Sequence, residues 1–282
     1  MQSPFESGWW SFDLGEYRPC GGTYSLYAYE SVPPLDDSLF TGKFINWLTP
    51  RANSRGARGL ARLLTEADRL GVKLPAAFQV FMGDARLQDS VPSCTACEWD
   101  LSAEPVACKV VPGAYTVRFL RDQQDCLFWY LHVLPDGDAH VLCSPIPFDE
   151  PAVMAKLSPA VIVANTRYCA PHFEHFVYRF WIENVLWDKL NMRGAALTAA
   201  ERAYVSHYGA PPEAPVADAA AEPAKATKKA ATRAPGKTAM KKAAKKTVKR
   251  AAQKTAKRAA KKTAKRAAKA AVMKATKKAA KR

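Results

Sequence analysis

The sequence predicts an α+β fold, an antiparallel sheet flanked by helices, followed by a disordered basic tail. Three observations carry that prediction. Apolar residues recur at helical spacing near Leu60 and again near Phe173. Between them, two apolar stretches of strand character flank a turn at Pro135-Asp136-Gly137-Asp138. The last fifty-eight residues, Lys225 to Arg282, hold twenty-four Lys or Arg and no Asp or Glu.

The chain opens with an N-terminal extension, residues 1–54, crowded with Trp9, Trp10, Tyr17, Tyr24, Tyr27 and Tyr29. Rings at this density are expected to pack on the body, some of them offering a partner surface. The α+β domain follows over residues 55–208. Leu60, Leu63, Leu64 and Ala67 fall at i, i+3, i+4 and i+7, with Leu70 next and Gly71 to stop the run. That is an amphipathic helix with a glycine cap. Leu74-Pro75 opens a second short helix with Phe78, Phe81 and Met82 inward. After a loop rich in Pro, Cys and Ser, Tyr115-Thr-Val-Arg-Phe-Leu alternates as a strand should.

The next strand, Leu127 to Leu134, is largely apolar on both faces, which places it in the sheet centre. The Asp-Gly turn returns the chain as the hairpin strand His140-Val-Leu-Cys-Ser. Phe173, Phe176, Val177 and Phe180 then restore helical spacing, extending through Trp181, Leu186 and Leu190. This helix is apolar beyond one stripe and must be packed deep.

Charge divides the chain into two unlike parts. It holds 42 basic and 26 acidic residues. Residues 211–282 contain 24 and 3 of these, leaving 18 and 23 in residues 1–210, a net charge of −5. No aromatic residue occurs after Tyr208. A Pro/Ala-rich linker, residues 209–224, reads as an extended spacer. Residues 225–282 are a basic low-complexity tail without the apolar area to offset the entropy of ordering.

From Lys245 an eight-residue repeat runs Lys-Lys-Thr-Val-Lys-Arg-Ala-Ala and recurs nearly unchanged from Gln253 and Lys261. On a helix, eight residues drift by about 80° per repeat, so the cations wind around the axis and line no single face. Like charges at i,i+4, such as Lys245 with Lys249 and Lys257 with Lys261, oppose helix in free solution. Phosphates relieve that repulsion, so disorder when free and partial helix when bound are expected.

The expected phosphate-binding residues are Lys241, Lys242, Lys245, Lys246, Lys249, Arg250, Lys254, Lys257, Arg258, Lys261, Lys262, Lys265, Arg266 and Lys269. Each cation placed on a phosphate releases a condensed counterion, which drives sequence-independent binding. The tail has no aromatic residue to stack on single-stranded bases and only one amide, Gln253, to read base edges. Duplex DNA is therefore the expected partner, with RNA as the alternative polyanion.

The tail resembles the lysine/alanine-rich tails of linker histones and of bacterial histone-like proteins. The body resembles another family. The succession Glu66-Ala-Asp-Arg-Leu-Gly-Val-Lys-Leu-Pro-Ala-Ala-Phe-Gln-Val-Phe-Met-Gly is similar to the opening of the SUKH superfamily. Phe128 to Cys143 is similar to that family's central strands, and Ala170-Pro-His-Phe-Glu-His-Phe-Val to its closing helix. The resemblance covers about residues 55–190. It implies a non-enzymatic binding module, many of whose members act as immunity proteins against nuclease toxins. The Cys-rich loop at Ser93–Glu98, the N-terminal extension and the basic tail depart from the family pattern.

Cys94 and Cys97 have zinc-knuckle spacing, with Cys108 and His172 or His175 as further ligands, but a second CxxC is missing and small buried thiols are the simpler reading. Asp136 and Asp138 read as hairpin-turn residues, since the rest of a calcium loop is missing. Asp122 and Asp125 read as a solvated turn. Cys169 with His172 invites a nucleophile reading, outweighed by the surrounding Phe residues. No phosphate loop, dinucleotide fingerprint or Gly-x-Ser-x-Gly occurs.

No catalytic residue, metal or cofactor is therefore expected. No secretory signal is read in Met1 to Trp10, no segment is apolar enough for a membrane span, and seven Cys read as reduced thiols. Together these predict a cytoplasmic, nucleoid-associated, non-enzymatic protein. Its body binds an unidentified protein partner and its tail holds DNA. The alternatives are an immunity protein neutralising a nuclease toxin, and a DNA-tethered enzyme of unknown class.

Overall fold

The computed structural model describes residues 3–52 and 59–209. The basic tail, with the cations expected to meet phosphate, and all of the linker but Gly209 lie outside them. So do residues 53–58, where the predicted boundary between extension and domain falls.

The extension contributes three short strands, β1 (Glu6–Ser7), β2 (Trp9–Ser11) and β3 (Ser25–Tyr27). β2 and β3 pair antiparallel as a two-stranded sheet. Helix α1 (Leu60–Arg69) follows, burying Leu63 and Ala67. Its end is a Schellman motif. Gly71 sits at φ +69°, its N–H donates to the Asp68 carbonyl at 3.0 Å, and the Val72 N–H reaches the Ala67 carbonyl at 2.8 Å. A left-handed residue there closes two otherwise orphaned carbonyls, and glycine takes that conformation without penalty. Helix α2 (Ala76–Gly83) buries Ala77, Phe78, Phe81 and Met82, with Pro75 at its N-cap. The short α3 (Ala85–Gln88) follows, capped by Asp84 accepting from the Arg86 N–H.

Strands β4 (Glu98–Trp99), β5 (Val106–Ala107), β6 (Tyr115–Arg121), β7 (Phe128–Val133) and β8 (Ala139–Ser144) come next. Helices α4 (Pro151–Met154) and α5 (Pro159–Asn165), strand β9 (Arg167–Ala170) and helix α6 (Phe173–Trp187) complete the main frame. A π-helical turn, Asp188–Arg193, leads toward α7 (Ala199–Ser206). The α7 start is a capping box in which Thr198 and Glu201 satisfy each other's backbone N–H groups.

The main sheet runs in the order β1-β9-β8-β7-β6-β4, with β5 also on β6. All pairs are antiparallel except β1 with β9, which is parallel. β7 occupies an inner position, and all six of its residues are buried. Its alternating side chains explain why both faces are apolar. Trp129, Leu131 and Val133 join the main core, with Phe78, Phe81, Phe173, Phe176 and Phe180 of α2 and α6. Phe128 and Tyr130 join a second core beneath α4 and α5, with Phe5, Phe148, Met154 and Ile162. Helices cover both faces, so the sheet cannot show the polar alternation of a half-exposed one.

Helix α6 buries eleven of its fifteen residues. One side faces the sheet through Phe173, Phe176 and Phe180. Another packs Tyr178, Ile182 and Leu186 against Phe12, Leu14 and the α7 residues Tyr204 and Val205. A helix wrapped on two sides cannot keep a single apolar stripe, which accounts for apolar residues on both packed sides and for the burial of Glu174, Arg179, Glu183 and Asn184 among them.

Candidate functional site

The β7–β8 hairpin sets one candidate site. Leu134 donates to the Asp138 carbonyl at 2.7 Å, Gly137 turns at φ +91°, and the Asp136 side chain accepts from the Asp138 N–H at 3.1 Å. The two aspartates thus close a hairpin, as their spacing predicts. That turn fixes the register, which puts His132 directly opposite His140. Their rings meet at 3.0 Å, Nδ1 of His132 to Nε2 of His140.

Phe5 stands edge-on to the His132 ring at 5.7 Å, and Tyr168 of β9 lies 4.9 Å from the His140 ring. His132 is 0% exposed and His140 8%. Burial pushes His132 down to about 3, reinforced by the neighbouring His140, and burial pushes His140 down to about 4. Both rings are neutral near pH 7.

Beside this pair opens a cleft of about 990 Å³. Its walls are residues 3–7 of the extension, the loop at 110–112, the hairpin turn, and Pro171 with His172 at the entry to α6. His140 and Tyr168 lie in its floor, and Asp136, Asp138 and Glu6 bring carboxylates to it. Among the described residues no Lys or Arg lines it.

A second polar centre lies inside the protein, on α6. Glu183 is 0% exposed, yet every contact it makes is a donor. Trp9 Nε1 reaches it at 2.9 Å, Tyr204 OH at 2.8 Å, and Arg18 by two bonds of 2.6 and 2.8 Å, with the Ser11 hydroxyl as a further donor. Burial alone would raise this carboxyl, but the Arg18 charge and these hydrogen bonds outweigh it and hold it below its ordinary value. Burial would lower Arg18, and Glu183 more than reverses that. The centre fastens the extension to α6 and α7. Its carboxylate is fully engaged by donors and only the Arg18 Nε lacks a partner among the described residues, so it is a structural clamp.

The tail cations, Lys241 through Lys269, lie outside the described residues. The candidate residues of the body lie mostly apart. Cys94 and Cys97 sit near α6, where burial raises both thiols. Tyr24 hydroxyl approaches the Cys97 sulfur at 3.5 Å, and Asn184 accepts from the Cys94 N–H at 2.7 Å. Cys108 packs with the second core on the other side of the sheet. Among the described residues no three His, Cys, Asp or Glu gather as a metal-binding group.

Cys169 is 0% exposed and pushed up by burial, whereas His172 lines the cleft, so the two do not share an exposed face. His175 stacks on Phe40 at 4.2 Å and stands 3.5 Å from Asp37. Asp122 is buried and accepts from Tyr24 OH at 2.9 Å, and Asp125 pairs with Arg121 at 2.8 Å. These two carboxylates tie the extension and close a turn.

Sequence reasoning passed over His132 and His140 as ordinary strand residues. A signal was available. Counting outward from the hairpin turn places them opposite one another. No protein-family model matches the chain, and neither curated proteins nor solved structures yield a match.

Proposed function

We propose that this is a non-enzymatic, nucleoid-associated protein, whose basic tail holds DNA without sequence preference while its α+β body engages a protein partner. One observation carries the reading: 24 cations and no acid in residues 225–282, against a net −5 in residues 1–210. A chain of that density neutralises phosphates through counterion release, and an acidic body adds no competing phosphate site. The resemblance of residues 55–190 to the SUKH superfamily in sequence favours a binding role for the body. No helix among the described residues is long and apolar enough to cross a membrane.

The test is binding of random-sequence duplex DNA by the full chain and by residues 1–210 across a salt series. The reading expects a steep negative slope for the full chain, on the order of six to ten phosphates, and no binding by the truncation. Equal binding by both would place the nucleic-acid site in the body. The acidic body also favours a second reading, an immunity protein that occupies the nucleic-acid site of a nuclease toxin. A toxin gene beside this one, with DNA binding absent, would favour it.

A further inference from the structure

We infer that the cleft beside His140 is the body's partner site, and that it takes a basic peptide segment, seating a peptide carbonyl on His140 and an Arg or Lys side chain between Asp136 and Asp138. This rests on the partner-binding role proposed above and gives it a place and a chemistry.

The first support is the hydrogen bond between the two histidines. A single proton lies between Nδ1 of His132 and Nε2 of His140. If His140 supplied it, neutral His132 would carry its own proton on Nε2. That atom is buried and has no partner among the described residues. A sealed N–H without an acceptor is costly and rare, whereas a sealed lone pair is better tolerated. His132 therefore donates from Nδ1, and His140 accepts at Nε2.

The proton of neutral His140 then resides on its Nδ1. That nitrogen has no hydrogen-bond partner among the described residues, and its ring lines the cleft. A ring that is 8% exposed thus offers one N–H to the cleft it lines. Tyr168 beside it keeps the ring oriented. The occupant must bring an acceptor.

The second support is the charge of the walls. Glu6 is partly neutralised by Arg167 at 3.2 Å. Among the described residues Asp136 and Asp138 have no salt-bridge partner and no Lys or Arg lines the cleft. Phosphate or nucleic acid is repelled there. A ligand with a neutral acceptor and a positive charge fits both requirements. A peptide carbonyl beside an Arg or Lys side chain is such a ligand, and Phe5 and Tyr168 add aromatic walls for the cation.

The experiment is calorimetric titration of the full chain with a capped arginine-glycine repeat peptide, and with a serine-glycine peptide of equal length. Four proteins are compared: wild type, Asp136→Asn with Asp138→Asn, His140→Phe, and Asp68→Asn with Asp89→Asn. The last pair removes the same charge from exposed positions outside the cleft.

The arginine peptide is expected to bind and the serine peptide not to. The hairpin pair should weaken binding about fivefold through two lost charge contacts. His140→Phe should weaken it by a similar factor through the lost donor. The remote pair should leave it unchanged. Asn keeps the Asp136 turn bond, so the hairpin variant remains informative if His140→Phe fails to fold.

Equal weakening by the remote pair would show general attraction to an acidic body and overturn the cleft. Absence of arginine-peptide binding would overturn it too. Duplex DNA binding, measured on the same proteins, separates the proposals. Lost peptide binding with DNA binding intact sinks the cleft alone, and lost DNA binding with peptide binding intact sinks the tail reading alone.

Discussion

Arg18 and Glu183 lie 165 positions apart in the chain and meet through two charge-assisted hydrogen bonds of 2.6 and 2.8 Å in the interior. A buried ion pair gains little over an apolar pair of the same shape, because both charges have left water. Breaking it is another matter. Arg18→Ala would leave Glu183 buried with its cation gone. The expected loss is about 3–5 kcal/mol of unfolding free energy, read as a lower denaturant midpoint. Arg18→Ala combined with Glu183→Gln should recover part of that loss. A loss under about 1 kcal/mol for Arg18→Ala, the range of exposed pairs, would show that the carboxylate finds water instead.

The histidine pair predicts a pH dependence with a definite sign. Unfolded histidine takes up its proton near pH 6.5, whereas folded His140 and His132 do so at about 4 and about 3. Between those values the unfolded chain binds more protons, so stability falls as pH falls below about 6.5. Each histidine contributes a slope of up to about 1.4 kcal/mol per pH unit. His132→Gln should flatten the profile between pH 6 and 4.5 by about one proton's worth. Denaturant titrations of both proteins across that range read the difference, and parallel profiles would show that the pair is hydrated.

Gly71 is a test of local backbone chemistry alone. A Cβ added there meets nothing within 4 Å, so only the φ of +69° opposes a side chain. Gly71→Ala should cost about 1 kcal/mol. The Schellman bonds and the packing of Leu63 would remain. An unchanged thermal midpoint would mean that the motif relaxes without cost.

Acetylating the lysines of residues 225–282 removes charge without shortening the chain. Under the counterion account, each neutralised lysine that had met a phosphate lowers the salt slope by about 0.9. DNA affinity of the acetylated protein should therefore fall together with its salt dependence. Affinity that survives acetylation with the original slope would remove the tail from the binding site.

Much of the frame was legible in the residues. Leu60, Leu63, Leu64 and Ala67 repeat at helical spacing, and the structure puts α1 there. The two-sided apolarity of Leu127 to Leu134 marked a strand covered on both faces. The sequence around Phe173 announced a deeply packed helix. β1 escaped because Glu6 and Ser7 are polar, exposed and only two residues long. Nothing in such a segment signals a sheet edge.

The cleft and the clamp were hidden for a different reason. Each is made by distant residues whose local sequence has another sufficient explanation. Trp9 and Ser11 belong to a short strand, Glu183 to a helix, and His140 to a hairpin. Only the tertiary register brings their polar atoms together.

The parallel pairing of Glu6 with Arg167 also fixes an order of events during synthesis. At about 5–20 residues per second, Glu6 waits on the order of 10–30 s for its partner to leave the ribosome. Strands β6, β7 and β8 can zip together in that interval, since they are neighbours in sequence as well as in the sheet. Phe5, immediately before the first strand, is therefore seated after those strands. Until then the histidine pair lacks Phe5 beside it and the cleft lacks one of its walls, so a nascent chain acquires its central strands well before the cleft is complete.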